Sequence, residues 1–234
     1  MSPEKTAKEE SPTALDILRH VPYFAALDGE TLRQVYASSR ARSLDTGEML
    51  FAEGGQCQGL CVVETGLMRI YKTSPAGREQ VLLIAGPGDS FNEVPIFDGG
   101  PNPASATALA PSRVRVIPTN FLLESMRSNP QIAASILAVM SRRLRHLTML
   151  VEDLSFRHVS SRVAKVLLQA SESSRYPAQG GLLGSLTQQE MANIVGTTRQ
   201  VVARSLKEME EQGIIERHRK HISILKPALL RRFV

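Results

Sequence analysis

Residues 186–213 read LTQQEMANIVGTTRQVVARSLKEMEEQG. Within them Arg199, Gln200 and Arg204 lie at the start and outer face of the second of two short amphipathic segments. Arg can give two hydrogen bonds to guanine and Gln can pair with adenine, so these are the side-chain types that read base edges in a major groove. Thr197 and Thr198 stand where hydroxyls and helix amides meet phosphate. The next stretch, IIERHRKHISIL, places two short apolar runs around a basic tip from Arg217 to His221. That pattern predicts a β-hairpin wing at a nucleic-acid backbone.

The elements that must carry these side chains are written in the same stretch. Thr187 is positioned to cap a helix, with Glu190 three residues on to complete a capping box. Met191, Ile194 and Val195 form its apolar face. Gly196 breaks it, Thr198 caps a second helix, Val202, Leu206 and Met209 face inward, and Gly213 ends it. Two short helices joined by a glycine turn outline a helix-turn-helix.

Upstream the texture changes twice. Residues 1–12 are polar and mixed in charge and predict a disordered tail. Residues 13–41 read as helices punctuated by Pro22 and Asp28-Gly29. From Leu44 to Ile117, runs such as LCVVE, LMRIYK and EQVLLIA alternate with glycine turns. Short strands at that interval predict an all-β barrel or jelly roll. After Pro130, Leu137, Met140, Leu144, Leu147, Val151 and Leu154 alternate at spacings of three and four, a heptad seam that predicts pairing with a second copy of the helix. A second stripe, Ile132, Ile136, Val139 and Leu150, suits packing on the β-rich part. Arg142, Arg143 and Arg145 read as a solvated flank. SSRYPAQGG reads as a loop after the helix VSSRVAKVLLQA.

The bulk numbers agree with an ordinary globular chain. Its 234 residues suit one large domain or two smaller ones, and the formal charge of +5 permits a polyanionic partner. Two cysteines, Cys57 and Cys61, exclude a disulfide framework and suit a reducing cytoplasm. Their spacing could set them on one face of a strand, but a turn cysteine and a core cysteine is the plainer reading. No run approaches 18 apolar residues, so no membrane span is expected. The sequence holds no Ser–His–Asp set, metal-ligand cluster or P-loop, so it is not read as an enzyme. The rival reading is a small-metabolite binder or enzyme with an incidental helix-turn-helix.

Taken together, VPYFAALDGETL, LDTGEMLFAEG, VVETGLMRIYK, GDSFNEVPIF and TQQEMANIVGTTRQVVARSLKEMEEQGII resemble the cyclic-AMP receptor and fumarate-nitrate-reductase regulator (Crp/Fnr) family over residues 15–230. The resemblance implies an α+β chain. A β-roll sensor would span residues 13–129, a dimerisation helix and hinge 130–157, and a winged helix-turn-helix 158–234. It implies a cytoplasmic homodimer that binds a two-fold site on double-stranded DNA and contacts RNA polymerase. Arg199 and Arg204 match the family's recognition-helix arginines, Gln200 stands where many members have Glu, and His218 and Lys220 fall at backbone-contacting positions of the wing.

The resemblance also points to an effector cassette around Asn92, Glu93, Val94, Ala104 and Ser105, with Thr148 on the long helix. Glu93 matches the family's ribose-binding Glu. The phosphate-binding Arg position falls on Asn102 or Pro103, and the Ser position on Pro103 or Ala104 with Ser105 close by. Asn92 replaces a Gly. Without that arginine the cassette is expected to keep its fold but not ordinary cyclic-AMP affinity, with Glu93 bonded to loop amides as one alternative. An iron–sulfur cluster needs about four cysteines and is not expected. A haem remains open, with His20, His146 or His158 as axial ligand. A regulator without any ligand is the third option.

Overall fold

The computed structural model describes residues 14–25, 27–172, 186–218 and 221–234. The N-terminal tail, the SSRYPAQGG loop and Lys220 lie outside the described residues. Two helices open the fold, α1 (Ala14–His20) and α2 (Gly29–Ser38). Asp28 caps α2 by accepting from the Glu30 and Thr31 amides at 2.9 Å each. The Thr31 bonds hold its carboxyl below the usual carboxylate range.

Eight strands follow: β1 (Arg40–Leu44), β2 (Met49–Phe51), β3 (Leu60–Thr65), β4 (Met68–Thr73), β5 (Glu79–Ala85), β6 (Ser90–Phe91), β7 (Ser105–Ala108) and β8 (Ser112–Ile117). They form two antiparallel four-stranded sheets, ordered β1-β8-β3-β6 and β2-β7-β4-β5. This is the expected β-roll. Its first strand starts earlier than the sequence suggested: Arg40 already pairs with Val116. The first four residues of β1 are exposed, so no hydrophobic alternation announces it. Cys57 precedes β3 in a loop and Cys61 is buried within the strand, which matches the plainer reading of a turn cysteine and a core cysteine. The two thiols meet all the same near the Gly59 carbonyl, at 4.0 and 3.9 Å.

Among the described residues, three buried clusters hold the fold. One fills the roll between the sheets and includes Leu44, Val63, Met68, Phe91 and Val114. A second joins the roll to its helices and includes Tyr23, Phe24, Leu32, Leu60 and Ile117. It also takes in Ile132, Ile136 and Val139 from the long helix α5 (Pro130–Phe156), which follows α3 (Val94–Asp98) and α4 (Thr119–Ser128). Helix α5 has 27 residues and rises about 40 Å. Asn129 caps it and Pro130 takes its first turn, where a missing N–H is harmless.

The third cluster is the C-terminal core: Val163 and Leu167 from α6 (Val159–Glu172), Met191 from α7 (Gln188–Val195), and Val202, Leu206 and Met209 from α8 (Arg199–Glu211). Strands β9 (Ile215–Arg217) and β10 (Ile222–Ile224) form the wing, and α9 (Pro227–Arg231) closes the domain. The Thr187–Glu190 capping box is present in full. Gly196 makes the turn at φ +73°, a left-handed conformation that glycine adopts without steric penalty. Among the described residues, no helix is long and apolar enough to cross a membrane.

Candidate nucleic-acid interface and cassette cavity

Helix α8 is two-sided. Val202, Leu206 and Met209 are fully buried, which turns Arg199, Gln200 and Arg204 outward into solvent. Thr198 caps the helix by accepting from the Val201 amide, while the Thr197 amide is spent on the Ala192 carbonyl. The N-terminus of a 13-residue helix therefore presents two arginines, an amide side chain and two threonines on one surface. Such a helix suits insertion into a major groove.

The wing is tied to this helix. Arg217 donates to Glu210 through its backbone amide at 3.1 Å and its Nε at 2.7 Å. Those bonds hold the Glu210 carboxyl below its usual range. Arg217 thus orients the wing, although the sequence placed it in a basic tip. His218 stacks on His221 with ring centroids 4.3 Å apart.

The cassette centres on a buried carboxylate. Glu93 is only 3% exposed. It accepts from Tyr23 Oη at 2.7 Å and Ser90 Oγ at 2.9 Å, and Arg143 of α5 closes a salt bridge to it. A second Arg143 nitrogen donates to the Ser90 carbonyl. The partners are side chains rather than loop amides, and Arg143 is a cassette residue rather than part of a solvated flank. Burial, then the Glu93 charge, pushes the Tyr23 hydroxyl well above its ordinary value.

Asn92 occupies the left-handed region at φ +71°, where Asn is among the few side chains tolerated. Its amide donates to Asn102 Oδ1 at 3.1 Å, and Asn102 in turn donates to the Ala52 and Gln56 carbonyls at 3.4 Å. Asn102 is a buried brace for the β2–β3 connection.

A cavity of about 240 Å³ lies between these residues and α5, bounded by Asn92, Glu93, Val94, Ala104, Arg143, His146 and Leu147, with Phe51, Ile70, Leu82, Leu83, Phe91 and Pro103. Ser105 and Thr148 are not in its wall. The Ser105 hydroxyl accepts from the Glu53 amide, and that of Thr148 donates to the Leu144 carbonyl one turn back. Of the three histidines, His146 alone borders the cavity, with Nε2 3.2 Å from the Leu82 carbonyl. His20 is bonded to the Asp16 carbonyl.

A cyclic nucleotide fits this lining poorly: Arg143, the one Arg or Lys among the described residues of the wall, is already engaged by Glu93, and the amides brace each other. At about 240 Å³ the cavity is also smaller than the clefts of about 300–1,000 Å³ that hold drug-sized ligands. Among the described residues, no three or more His, Cys, Asp or Glu side chains are grouped to hold a metal.

The seam of α5 is open. Leu137, Leu144 and Val151 are 65, 67 and 63% exposed, and Leu147 and Leu154 also show apolar surface. Met140 is half-buried. The helix-turn-helix docks on the β4–β5 hairpin. Gln80 Nε2 donates to the Ile194 carbonyl at 3.1 Å, and Asn193 Nδ2 donates to Glu79 at 2.7 Å while Glu79 pairs with Arg69. Thr197, Thr198 and Arg199 share with Arg69 and Arg78 a cleft of about 590 Å³.

Comparison with known proteins agrees with both halves. Residues 41–129 match the cyclic nucleotide-binding domain family, and residues 161–233 match the Crp-like helix-turn-helix domain. The chain is 33% identical over 213 residues to the CRP-like cAMP-activated global transcriptional regulator of Mycobacterium tuberculosis, covering 89% of this chain and 94% of that one. It is 29% identical to the cyclic AMP receptor protein of Thermus thermophilus, with the same coverage. Its fold is similar to that of the c-di-GMP responsive global regulator CLP of Xanthomonas campestris, with TM-score 0.74, 24% identity, and 84% and 99% of the two chains covered.

Proposed function

The chain belongs to the Crp/Fnr family of transcription regulators, and within it we propose a homodimer that reads a two-fold DNA site and is controlled through its β-roll. The observation that carries the reading is the two-sidedness of α8: its inner face is core, and its outer face leaves Arg199, Gln200 and Arg204 exposed to solvent. A core-only helix would not leave three base-reading side chains together in solvent.

Dimerisation is supported by the open seam, since a stripe of exposed Leu and Val along a long helix is stabilised by burial against its own copy. Two copies would present two recognition helices about one DNA turn apart, ~34 Å. Control through the roll is supported by the bonds from Gln80 and Glu79 to the helix-turn-helix. A change in the cassette moves α5 through Arg143, and movement of α5 alters where the DNA-binding domain sits on the hairpin. The family also makes RNA polymerase the expected protein partner and the cytoplasm the expected place of action.

The test is selection of binding sites from randomised duplex DNA. Recovered sequences should carry two related half-sites centred ~10 base pairs apart. Recovery of unstructured sequences with no two-fold relation would overturn the reading.

A further inference from the structure

The lining of the cassette cavity is chemically unlike a phosphate pocket, and we propose that it takes a small, uncharged, largely apolar molecule carrying one hydrogen-bond acceptor. The proposal deepens the regulator reading, and rests on it for its consequence, by naming the class of effector for the same β-roll.

Three observations lead there. The first is the wall. Phe51, Ile70, Leu83, Phe91, Pro103 and Ala104 give it an apolar surface.

The second is that its polar groups are already engaged. Asn92 is held by Asn102, Glu93 by Tyr23, Ser90 and Arg143, and His146 by the Leu82 carbonyl. Since a carbonyl only accepts, His146 Nε2 carries the proton in that bond. The Glu93 and Arg143 charges cancel. An anionic phosphate that drew Arg143 to itself would leave Glu93 buried and unpaired. Breaking such a pair weakens binding by roughly 30- to several-thousand-fold. Arg143 has five N–H donors. Only part of that set is used on Glu93 and Ser90, so one acceptor on the ligand can still be met.

The third is size and place. About 240 Å³ suits a molecule below drug size. One side of the cavity is the roll and the other is α5, where Leu147 belongs both to the cavity wall and to the exposed seam. An occupant therefore presses on the helix that carries the seam.

The experiment is methyl NMR of the full-length protein titrated with acetophenone, with ethylbenzene, and with cyclic AMP. Acetophenone is expected to shift the Ile70, Leu82, Leu83 and Val94 methyls saturably. Ethylbenzene, similar in shape without the oxygen, should bind about tenfold more weakly, the worth of one hydrogen bond. Ala104→Leu fills the cavity from inside and Val94→Phe from its edge. Both should remove the shifts, and the second protects the test against misfolding of the first.

Absence of saturable shifts at these methyls overturns the proposal. So does equal affinity for the two probes, or cyclic AMP displacing acetophenone at micromolar concentration, or binding that survives both filled variants. DNA binding by the same samples is scored separately by gel shift. A chain that selects no duplex would sink the regulator reading while leaving the cavity result intact.

Discussion

Arg143 on the long helix and Glu93 in the cassette form a salt bridge across 50 residues of sequence, and the same guanidinium reaches the Ser90 carbonyl. The carboxylate is almost fully buried and the arginine side chain is 27% exposed. The contact clamps the long helix α5 to the β-roll by a charge pair at a half-dry boundary, where Coulomb attraction is stronger than at an open surface.

Arg143→Gln is expected to destabilise the chain by about 1–3 kcal/mol, because Glu93 keeps only its neutral donors. Glu93→Gln with Arg143→Gln should recover part of that loss. Urea denaturation of the four proteins gives the coupling energy. A coupling of zero would mean the pair adds nothing beyond its separate contacts.

Tyr23→Phe removes the buried bond to Glu93 and is expected to lower stability near neutral pH by about 1.5–3 kcal/mol. The folded state holds the Tyr23 proton more tightly than the unfolded chain does, where the phenol titrates near 10.0. Its contribution is therefore full below that pH and is lost as pH rises toward the higher folded value. Wild type should lose more stability than the variant above about pH 10. Parallel alkaline stability curves would rule this account out.

Arg199→Ala should weaken specific DNA binding by about 1–3 kcal/mol, roughly ten- to hundred-fold, and relax preference at one position of each half-site. Gel shifts against single-base variants of a selected site read both effects. An unchanged base preference would take this side chain out of the groove.

Leu144→Arg places a charge in the middle of the open seam. The expected result is a monomer by sedimentation at concentrations where wild type is a dimer, with the fold retained, since residue 144 touches solvent rather than core. A variant that still sediments as a dimer moves the interface elsewhere.

Gln80→Ala removes the bond from the hairpin to the Ile194 carbonyl. If docking on the roll competes with DNA, affinity should rise by about 2- to 10-fold, the worth of one hydrogen bond. The gel shift that shows no gain separates the hairpin contact from DNA binding.

Much of this architecture was legible in the sequence because it is written in local patterns. The Thr187–Glu190 box, the Gly196 turn, and the strands between glycine turns all depend on near neighbours. Arg143 was missed because its role depends on a partner 50 residues away. A signal existed: Ile132, Ile136, Val139 and Arg143 follow one another at spacings of four, three and four, so the arginine completes a buried stripe. A cation at the end of an apolar stripe asks for a buried carboxylate. The bonds from Gln80 and Asn193 gave no such cue, since an amide side chain serves equally well in solvent.

Gly196 sits beneath the ends of two side chains. A Cβ built there would stand 2.5 Å from Gln80 Oε1 and 2.7 Å from a Leu154 methyl. Leu154 lies eleven residues beyond Arg143 on one unbroken helix, about 16 Å along its axis. Were α5 to pivot at its cassette contact, it would act as a lever on the glycine turn. A tilt of ~5° about Arg143 swings Leu154 by roughly 1.4 Å, as much as the rise of one residue. A throw of that size would change the gap between the Leu154 side chain and the glycine turn.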